Sequence, residues 1–278
     1  MSDETLGAHI YSILDSNIYV LKSSFLSGIS RLGGAIYLEG NSTVGVFASN
    51  FNQNFARRRG GAIYADGFQS ITVGQGTQFV SNMAVTEGLG DDIFVTNTDQ
   101  LLNVSDTKFL NPGAVQSIRA ELANVSLFKV TMKTGNSIKS RAKQNGGALN
   151  CLNCRGLYVS QSSFSGQQAN LGGAFHLEES EDNKRLSDRR GKYRILGSTF
   201  NNCSAFAGGA LYLDNPQFLT VGQGTTFSTN TALNTSEKEY NRRAGSGGAI
   251  YYTCNSKSIS CLVSVEGGTK YLGNYAAV

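Results

Sequence analysis

The chain has 278 residues, of which 40% are hydrophobic and 16% charged, so it can bury a core and is not intrinsically disordered. Its formal net charge of +4 is too small to indicate a nucleic-acid-binding protein. The sequence contains 33 glycines and only 2 prolines, which favours many tight bends between strands whose amides are all hydrogen-bonded.

The N-terminal segment, MSDETLGAHIYSIL, lacks both a basic region and a sufficiently long apolar region, so no signal peptide is visible. Nowhere does the sequence contain the run of about 18 apolar residues that a transmembrane helix needs. We therefore expect no transmembrane segment in this chain, which is either a mature protein or a part of a longer one.

A short motif, Gly-Gly-Ala followed by a large apolar residue, recurs along the chain. Its six copies are Gly33-Gly34-Ala35-Ile36, Gly60-Gly61-Ala62-Ile63, Gly146-Gly147-Ala148-Leu149, Gly172-Gly173-Ala174-Phe175, Gly208-Gly209-Ala210-Leu211 and Gly247-Gly248-Ala249-Ile250. Two degenerate copies, Leu6–Tyr11 and Gly88–Phe94, extend the series. Self-similarity at this spacing is the signature of a repeat architecture.

A second motif, an aromatic residue followed three positions later by asparagine, usually precedes the first. Its copies are Phe51…Asn54, Phe79…Asn82, Phe227…Asn230 and Tyr271…Asn274, with Phe200…Cys203 as a variant. The asparagine fits a bend, where side-chain amides stacked along an axis can hydrogen-bond to one another.

The repeats are duplicated on a larger scale. The segment Tyr19–Glu39 matches Tyr158–Glu178, and Gly60–Asn82 matches Gly208–Asn230. The sequence therefore predicts two similar halves, approximately 6–145 and 146–278, within one continuous domain over 1–278. A polar stretch at approximately 179–193 is interpreted as a loop inserted between repeats.

The repeat predicts an all-β fold. Short strands with alternating polarity and Gly bends, recurring about every 25 residues, are typical of a parallel β-helix. Each coil buries its apolar face by stacking on the next, about 4.8 Å away. We predict a single right-handed parallel β-helix, or β-solenoid, of roughly 11 coils.

Position within the repeat then predicts orientation. One interior column should contain Ile36, Ile63, Leu149, Phe175, Leu211 and Ile250, and another Phe51, Phe79, Phe164, Phe200 and Phe227. The residues that follow the first column should face outward as an aromatic stripe, notably Tyr37, Tyr64, Tyr212 and Tyr251. Such a stripe either stiffens the stack by contacts between coils or binds a sugar or partner.

The pairing of GGA[ILF] with the aromatic-x-x-Asn motif resembles the repeats of chlamydial polymorphic membrane proteins and, more broadly, pectin-lyase-like right-handed β-helix proteins. The resemblance covers most of residues 6–278. It implies a right-handed β-helix in a surface-exposed or secreted, often adhesive, protein, so we expect an extracellular or cell-surface location. It specifies the fold more strongly than the function.

Because many β-helix proteins act on polysaccharides, we looked for catalytic residues. Resemblance to polygalacturonases would require an ordered series of motifs, and this chain has Asp91-Asp92 and Asn97-Thr98-Asp99 in reversed order. Asp91, Asp92 and Asp99 form a thin cluster for the Ca²⁺ site of a lyase. We predict neither an enzyme nor a cofactor, with a carbohydrate-binding module or a polysaccharide lyase or hydrolase as the alternative.

The chain has five cysteines. Cys254 and Cys261 could close a loop and Cys151 and Cys154 could pair across a bend, which leaves Cys203 unpaired. These pairings apply to a secreted protein, whereas in the cytosol all five would be thiols. Candidate N-glycosylation sites are Asn41, Asn103, Asn124, Asn202 and Asn234.

The last residues, Tyr271–Val278, match the first part of a repeat whose second part resembles Leu6–Tyr11. Because an uncapped solenoid exposes unpaired backbone groups, we expect subunits to stack head to tail into a filament, or the chain to form part of a longer solenoid. The predicted joint includes Leu6, Ile10, Tyr11, Tyr271 and Asn274. The expected partners are further copies of the chain and possible glycans or cell-surface molecules, not nucleic acid.

Overall fold

A computed structural model describes residues 5–85, 89–111, 115–134, 144–179, 191–234, 244–254 and 261–277. The chain divides into two compact units, Met1–Ser137 and Ile138–Val278. Each unit is built from short parallel strands, and the two units are described separately below.

The first unit has three sheets of five strands. The first sheet contains β1 (Ile10–Ile13), β5 (Ile36–Glu39), β9 (Ile63–Asp66), β13 (Ile93–Thr96) and β16 (Ile118–Glu121). The second contains β2 (Asn17–Leu21), β6 (Thr43–Phe47), β10 (Ser70–Gly74), β14 (Leu101–Ser105) and β17 (Asn124–Phe128). The third contains β3 (Ser24–Leu26), β7 (Asn50–Asn52), β11 (Gln78–Val80), β15 (Lys108–Leu110) and β18 (Thr131–Lys133).

A small sheet of three strands accompanies the three main sheets of this unit. It consists of β4 (Ile29–Leu32), β8 (Phe55–Arg59) and β12 (Met83–Ala84). Each of the first three coils therefore has a fourth strand, whereas none follows β15 or β18 within the described residues.

The second unit repeats the arrangement with four strands in each main sheet. Its first sheet contains β19 (Leu149–Leu152), β22 (Phe175–Glu178), β26 (Leu211–Asp214) and β30 (Ile250–Thr253). Its second contains β20 (Gly156–Ser160), β23 (Lys192–Leu196), β27 (Phe218–Gly222) and β31 (Leu262–Val265). Its third contains β21 (Ser163–Ser165), β24 (Thr199–Asn201), β28 (Thr226–Ser228) and β32 (Lys270–Leu272), and its small sheet contains β25 (Ser204–Ala205), β29 (Thr231–Ala232) and β33 (Tyr275–Ala276).

The chain visits each sheet once per coil, and equivalent strands pair in parallel register. Ile36 pairs with Ile63, Val44 with Ile71, and Phe51 with Phe79. Stacked parallel strands joined by coil-to-coil connections form a right-handed parallel β-helix, which confirms the predicted fold class.

The predicted interior columns are confirmed. Every member of the phenylalanine column is fully buried, and neighbouring rings stack with centroids 4.9 Å apart between Phe51 and Phe79 and 5.0 Å apart between Phe200 and Phe227. In the other predicted column, which begins with Ile36, five members are also fully buried and the sixth, Ile250, is half-buried. Flat rings fit a stack with this spacing because each covers the face of the next.

The two glycines of the GGA motif have different roles. Gly60 has φ of 62°, in the left-handed region that only glycine adopts readily. Gly61 has no such angle, but a Cβ atom there would lie 2.0 Å from the carbonyl oxygen of Asp91 and 2.6 Å from the nitrogen of Met83. The second glycine is therefore required where a short strand of the next coil packs against the bend.

The described residues contain five coils in the first unit and four in the second, fewer than the roughly 11 predicted. The estimate assumed coils of uniform length, whereas several connections are long, such as the one between β22 and β23. The predicted insertion at 179–193 falls mostly on that connection, and its residues 180–190 lie outside the described residues. One continuous helix over 1–278 and the internal duplication stay predictions.

Candidate functional site

The predicted aromatic stripe of the first unit is a buried stack. Tyr37 and Tyr64 are only 6% and 5% exposed, because Leu6, Leu32 and Leu89 pack over them. The rings of Tyr37 and Tyr64 are parallel with centroids 5.3 Å apart, and Phe94 continues the stack. Burial raises the pKa of Tyr64 to about 12, so its phenol is neutral at physiological pH.

The second unit buries its part of the stripe in the same way. Tyr212 is 1% exposed and packs with Leu171 and Ala207, while Tyr251 is half-buried. The rings of His176, Tyr212 and Tyr251 stack with centroids 5.2 and 5.1 Å apart. The four tyrosines therefore stack between coils on the outer side of this sheet, but the chain segment before the GGA bends covers Tyr37, Tyr64 and Tyr212, so they are not an exposed stripe.

The asparagines of the aromatic-x-x-Asn motif form a buried ladder in the first unit. The side chain of Asn82 accepts from the backbone and side-chain nitrogens of Asn54, both at 3.0 Å, and donates to the carbonyl of Phe51 at 3.1 Å. Asn54 likewise donates to the carbonyl of Phe25 and accepts from the amide of Gly28. Each side chain thus reaches back to the preceding coil.

The ladder explains the unusual backbone conformation of the residue that precedes each asparagine. Gln53, Ser81 and Thr229 have φ of 55°, 51° and 52°, which is strained for residues other than glycine. The hydrogen bonds of the neighbouring asparagine hold this bend and offset its conformational cost.

A second ladder runs through the second unit. Asn230 accepts from the amide of Cys203 at 3.0 Å and donates to the carbonyl of Phe200 and to the side chain of Asn274. Asn274 in turn donates to the carbonyl of Phe227 at 3.0 Å. Cys203 occupies the ladder position without an amide, and its sulfur lies 3.9 Å from the carbonyl oxygen of Phe164.

Asp91 and Asp92, the acidic pair considered for catalysis, are completely buried, whereas Asp99 is exposed. Asp91 accepts hydrogen bonds from the amides of Ala84 at 2.8 Å and Val115 at 2.6 Å. Asp92 accepts from the side chain of Asn82 at 3.0 Å. Asp92 therefore extends the asparagine ladder. Asp91 accepts hydrogen bonds from backbone amides that precede and follow it in the sequence.

Sequence reasoning missed this role, although a signal was present. The fourth coil carries Phe109-Leu110-Asn111, one residue shorter than the usual motif, and no fourth strand follows β15 in the described part of that coil. At the position of the second glycine, the Asp91 side chain instead accepts the amides of Ala84 and Val115. Among the described residues, no group of three or more His, Cys, Asp or Glu side chains could hold a metal ion.

The cysteines divide into one disulfide and three thiols. Cys254 and Cys261 are joined by a disulfide that bridges the connection between β30 and β31, as suggested by the sequence. The suggested pairing of Cys151 with Cys154 is wrong, since both are buried thiols that form no disulfide. Cys151 points into the interior at the position of Leu177 in the next coil, and burial raises the pKa of the Cys203 thiol to about 12.

The candidate glycosylation sites differ in exposure. Asn41, Asn202 and Asn234 are exposed, whereas Asn103 and Asn124 are half-buried on β14 and β17. Asn124 also donates a hydrogen bond to the carbonyl of Asp99. Their modification stays a prediction.

The residues of the predicted joint lie on the first coil of the first unit and the last coil of the second. Tyr11 is 53% exposed and Tyr271 46% exposed, while Leu6, Ile10 and Asn274 are half-buried. Phe227 lies in the preceding coil and pairs with Tyr271, and it has no exposed surface. Side chains at interior positions are thus open to solvent in this last coil.

A sequence profile of the Chlamydia polymorphic membrane protein repeat matches residues 48–66 and 224–253. Both segments contain an aromatic-x-x-Asn bend and the GGA motif that follows it. The repeats of this β-helix resemble those of chlamydial polymorphic membrane proteins. Neither a curated protein nor a solved structure matches the chain.

The described part of the chain contains no helix long and apolar enough to cross a membrane.

Proposed function

We propose that the protein is a non-enzymatic structural and adhesive β-solenoid at the cell surface or outside the cell. This proposal rests on one observation: the side chains that define the repeat are buried in contacts between coils. The phenylalanine column, the aromatic stripe and the asparagine ladder are all largely buried. Repeat positions that serve only stacking are expected of a scaffold, and the match to a surface-protein repeat supports the location.

The buried state of the acidic pair favours a non-enzymatic role. A glycoside hydrolase needs two carboxyl groups that reach the scissile bond, and a lyase needs exposed acidic ligands. Asp91 and Asp92 have no exposed surface and bind backbone and amide donors of the protein itself. Incubation of the purified protein with uronans should therefore release no reducing or unsaturated ends, and release of either would support the lyase or hydrolase alternative.

The alternative of a carbohydrate-binding module loses its main support, because three of the four tyrosines proposed to stack on sugars are buried and the fourth is half-buried. A glycan array tests it directly. Binding that survives in a Tyr251→Ala variant, which removes the ring of the half-buried member, would locate any sugar site elsewhere on the surface.

The exposed end coils support self-association. Ala210 and Leu211 donate their amides to the carbonyl of Ala249 in the next coil. By the same register, the amides of Ala249 and Ile250 are donors for one further coil. The carbonyl of His9 is the corresponding acceptor of the first coil, since His9 and Ile10 donate to Ala35 as the other repeats do.

We therefore extend the proposal to head-to-tail stacking, in which the last coil receives either the first coil of another copy or further coils of a longer polypeptide. Burial of Tyr271, Leu272 and Tyr275, which are 46–59% exposed, would contribute hydrophobic free energy to such a joint. A heterologous contact that does not close generates a filament.

Electron microscopy and sedimentation at micromolar concentration test this joint. We expect filaments for the unaltered protein and their loss in Tyr271→Asp. Tyr158→Asp provides a matched control, since Tyr158 is 43% exposed but lies on the outer face of β20. Discrete monomers of the unaltered protein would contradict stacking between copies.

Binding of protein-coated beads to cultured epithelial cells tests the adhesive role. The proposal expects binding that soluble protein competes away, with beads coated with an unrelated β-helix protein as the control. Equal binding by both kinds of bead would contradict a specific adhesive function.

A further inference from the structure

Asp92 lies at an interior position that is otherwise occupied by alanine. It aligns with Ala35 and Ala62 of the preceding coils, directly before the interior Ile93. Its backbone is fully engaged, because its amide donates to the carbonyl of Ser117 and its carbonyl accepts from Ala62 and Ile63. The carboxyl group is therefore held inside the stack and has no exposed surface.

The two neighbouring carboxyl groups have different surroundings. Asp91 accepts from the backbone amides of Ala84, Val115 and Gln116, and such donors stabilise a negative charge. Asp92 accepts from the Asn82 amide through Oδ1, and its Oδ2 has no hydrogen-bond partner in the described part of the chain. Two adjacent buried acids cannot readily both be ionised, so the charge belongs on Asp91 and the proton on Asp92.

The groups packed against Asp92 are consistent with this assignment. Asn82 and Ala62 face it from the third coil and Ser117 from the fifth, and all three are neutral. Asp91 is the charged group acting on it. Burial chiefly raises the pKa of Asp92, to about 8, with the charge of Asp91 adding to the rise and the hydrogen bond from Asn82 and the nearby Ser117 side chain opposing it.

We propose that Asp92 is a proton-controlled latch of the first unit, which holds the third, fourth and fifth coils together as a neutral acid and loosens them when it loses its proton. The ionised form would place a second negative charge beside Asp91 in the interior. The latch joins the asparagine ladder of the preceding coils to the fifth coil, because Asp92 binds Asn82 through its side chain and the carbonyl of Ser117 through its amide.

The direction of the pH effect follows from linkage. The folded-state pKa lies above the ordinary value of 3.8, so the folded state binds more protons than the opened state between these two values. The stabilisation is complete below pH of about 4 and declines until about pH 8, above which the group adds no further dependence. The first unit should thus be tighter in mildly acidic surroundings than in alkaline ones.

Hydrogen exchange of the full chain, read by mass spectrometry on peptides covering β13, tests the latch. At each pH, the exchange rate of the unaltered protein is divided by that of Asp92→Asn. This ratio cancels the intrinsic pH dependence of exchange. We expect this ratio to rise roughly tenfold per pH unit between about pH 5 and 8. Peptides covering β26 in the second unit should show a constant ratio.

Asp92→Ala provides a second variant, because alanine is the residue at this position in the GGA repeats. It should behave like Asp92→Asn in lacking the pH dependence, whereas Asp15→Asn, at an exposed site, should retain it. A constant ratio between the unaltered protein and both Asp92 variants would overturn the latch. Protection of β13 by added Ca²⁺ at pH 9, lost in Asp92→Asn, would also overturn it by showing that the pair binds a cation.

Discussion

The asparagine ladder of the first unit ends on a carboxyl group, whereas that of the second unit starts from a thiol. Asn82 bonds onward to Asp92, which is completely buried, while Asn230 bonds onward to the half-buried Asn274 and back to the amide of Cys203. The two ladders thus use different groups at two positions of the repeat, since Asp92 aligns with the alanine of the GGA motif and Cys203 with the asparagine. Because a buried donor or acceptor that loses its partner is costly, we expect burial to set the contribution of each rung.

The largest effect is expected from Asn82→Ala. It leaves the amide of Asn54, the carbonyl of Phe51 and the carboxyl of Asp92 without their partner in a dry interior, at a cost of about 4 kcal/mol in the free energy of unfolding. Asn230→Ala should cost about 2 kcal/mol, since water can reach Asn274. Urea unfolding followed by circular dichroism measures both losses, with the variant Asn17→Ala at an exposed site as control. Equal losses of unfolding free energy in Asn82→Ala and Asn230→Ala would show that burial is not decisive.

A second expected effect is that restoring the repeat motif at Asp91 destabilises the protein. Asp91→Gly recreates Gly-Gly before the interior residues but removes the acceptor of the Ala84 and Val115 amides, which should cost about 3 kcal/mol. Asp91→Asn keeps one acceptor oxygen and should lose less. The same unfolding measurement applies, and an Asp91→Gly variant as stable as the unaltered protein would refute the role assigned to this carboxylate.

The disulfide belongs to the second unit alone, so reduction should distinguish the units. Opening the short loop between Cys254 and Cys261 should lower the local stability around β30 and β31 by about 2 kcal/mol. Hydrogen exchange should increase in these strands with dithiothreitol and stay constant in β5 and β9. A Cys254→Ser/Cys261→Ser double variant should exchange like the reduced protein, and any further response of that variant to reductant would contradict the explanation.

The smallest expected effect is a gain. Cys203→Asn would supply the missing amide to the carbonyl of Phe164, as Asn230 does for Phe200, and should stabilise the second unit by about 1 kcal/mol. Cys203→Ala, which removes the sulfur without adding a donor, is the matched comparison. If the asparagine variant is no more stable than the alanine variant, the ladder does not extend to this coil.

The fold class and the composition of the interior could both be predicted from the amino-acid sequence. Regular spacing of Gly-Gly-Ala and aromatic-x-x-Asn motifs placed Ile36 and Ile63 in one column and Phe51 and Phe79 in another, because side chains at the same position of a stacked repeat must meet. The asparagine ladder followed from the same reasoning. Local pattern suffices here since each coil contacts mainly its neighbours.

Two properties depend on how the coils pack and could not be predicted: which outward positions are covered, and which polar groups find partners. Alternation along a strand correctly turned Tyr37 and Tyr64 away from the main core, but it could not show that Leu32 and Leu89 pack over them. Cys151 and Cys154 are close in sequence, yet they form no disulfide with each other. Cys151 points into the interior of the coil stack. Asp91 and Asp92 owe their roles to partners that neighbouring coils supply, namely the amides of Ala84 and Val115 and the side chain of Asn82, and the two residues by themselves do not reveal these partners.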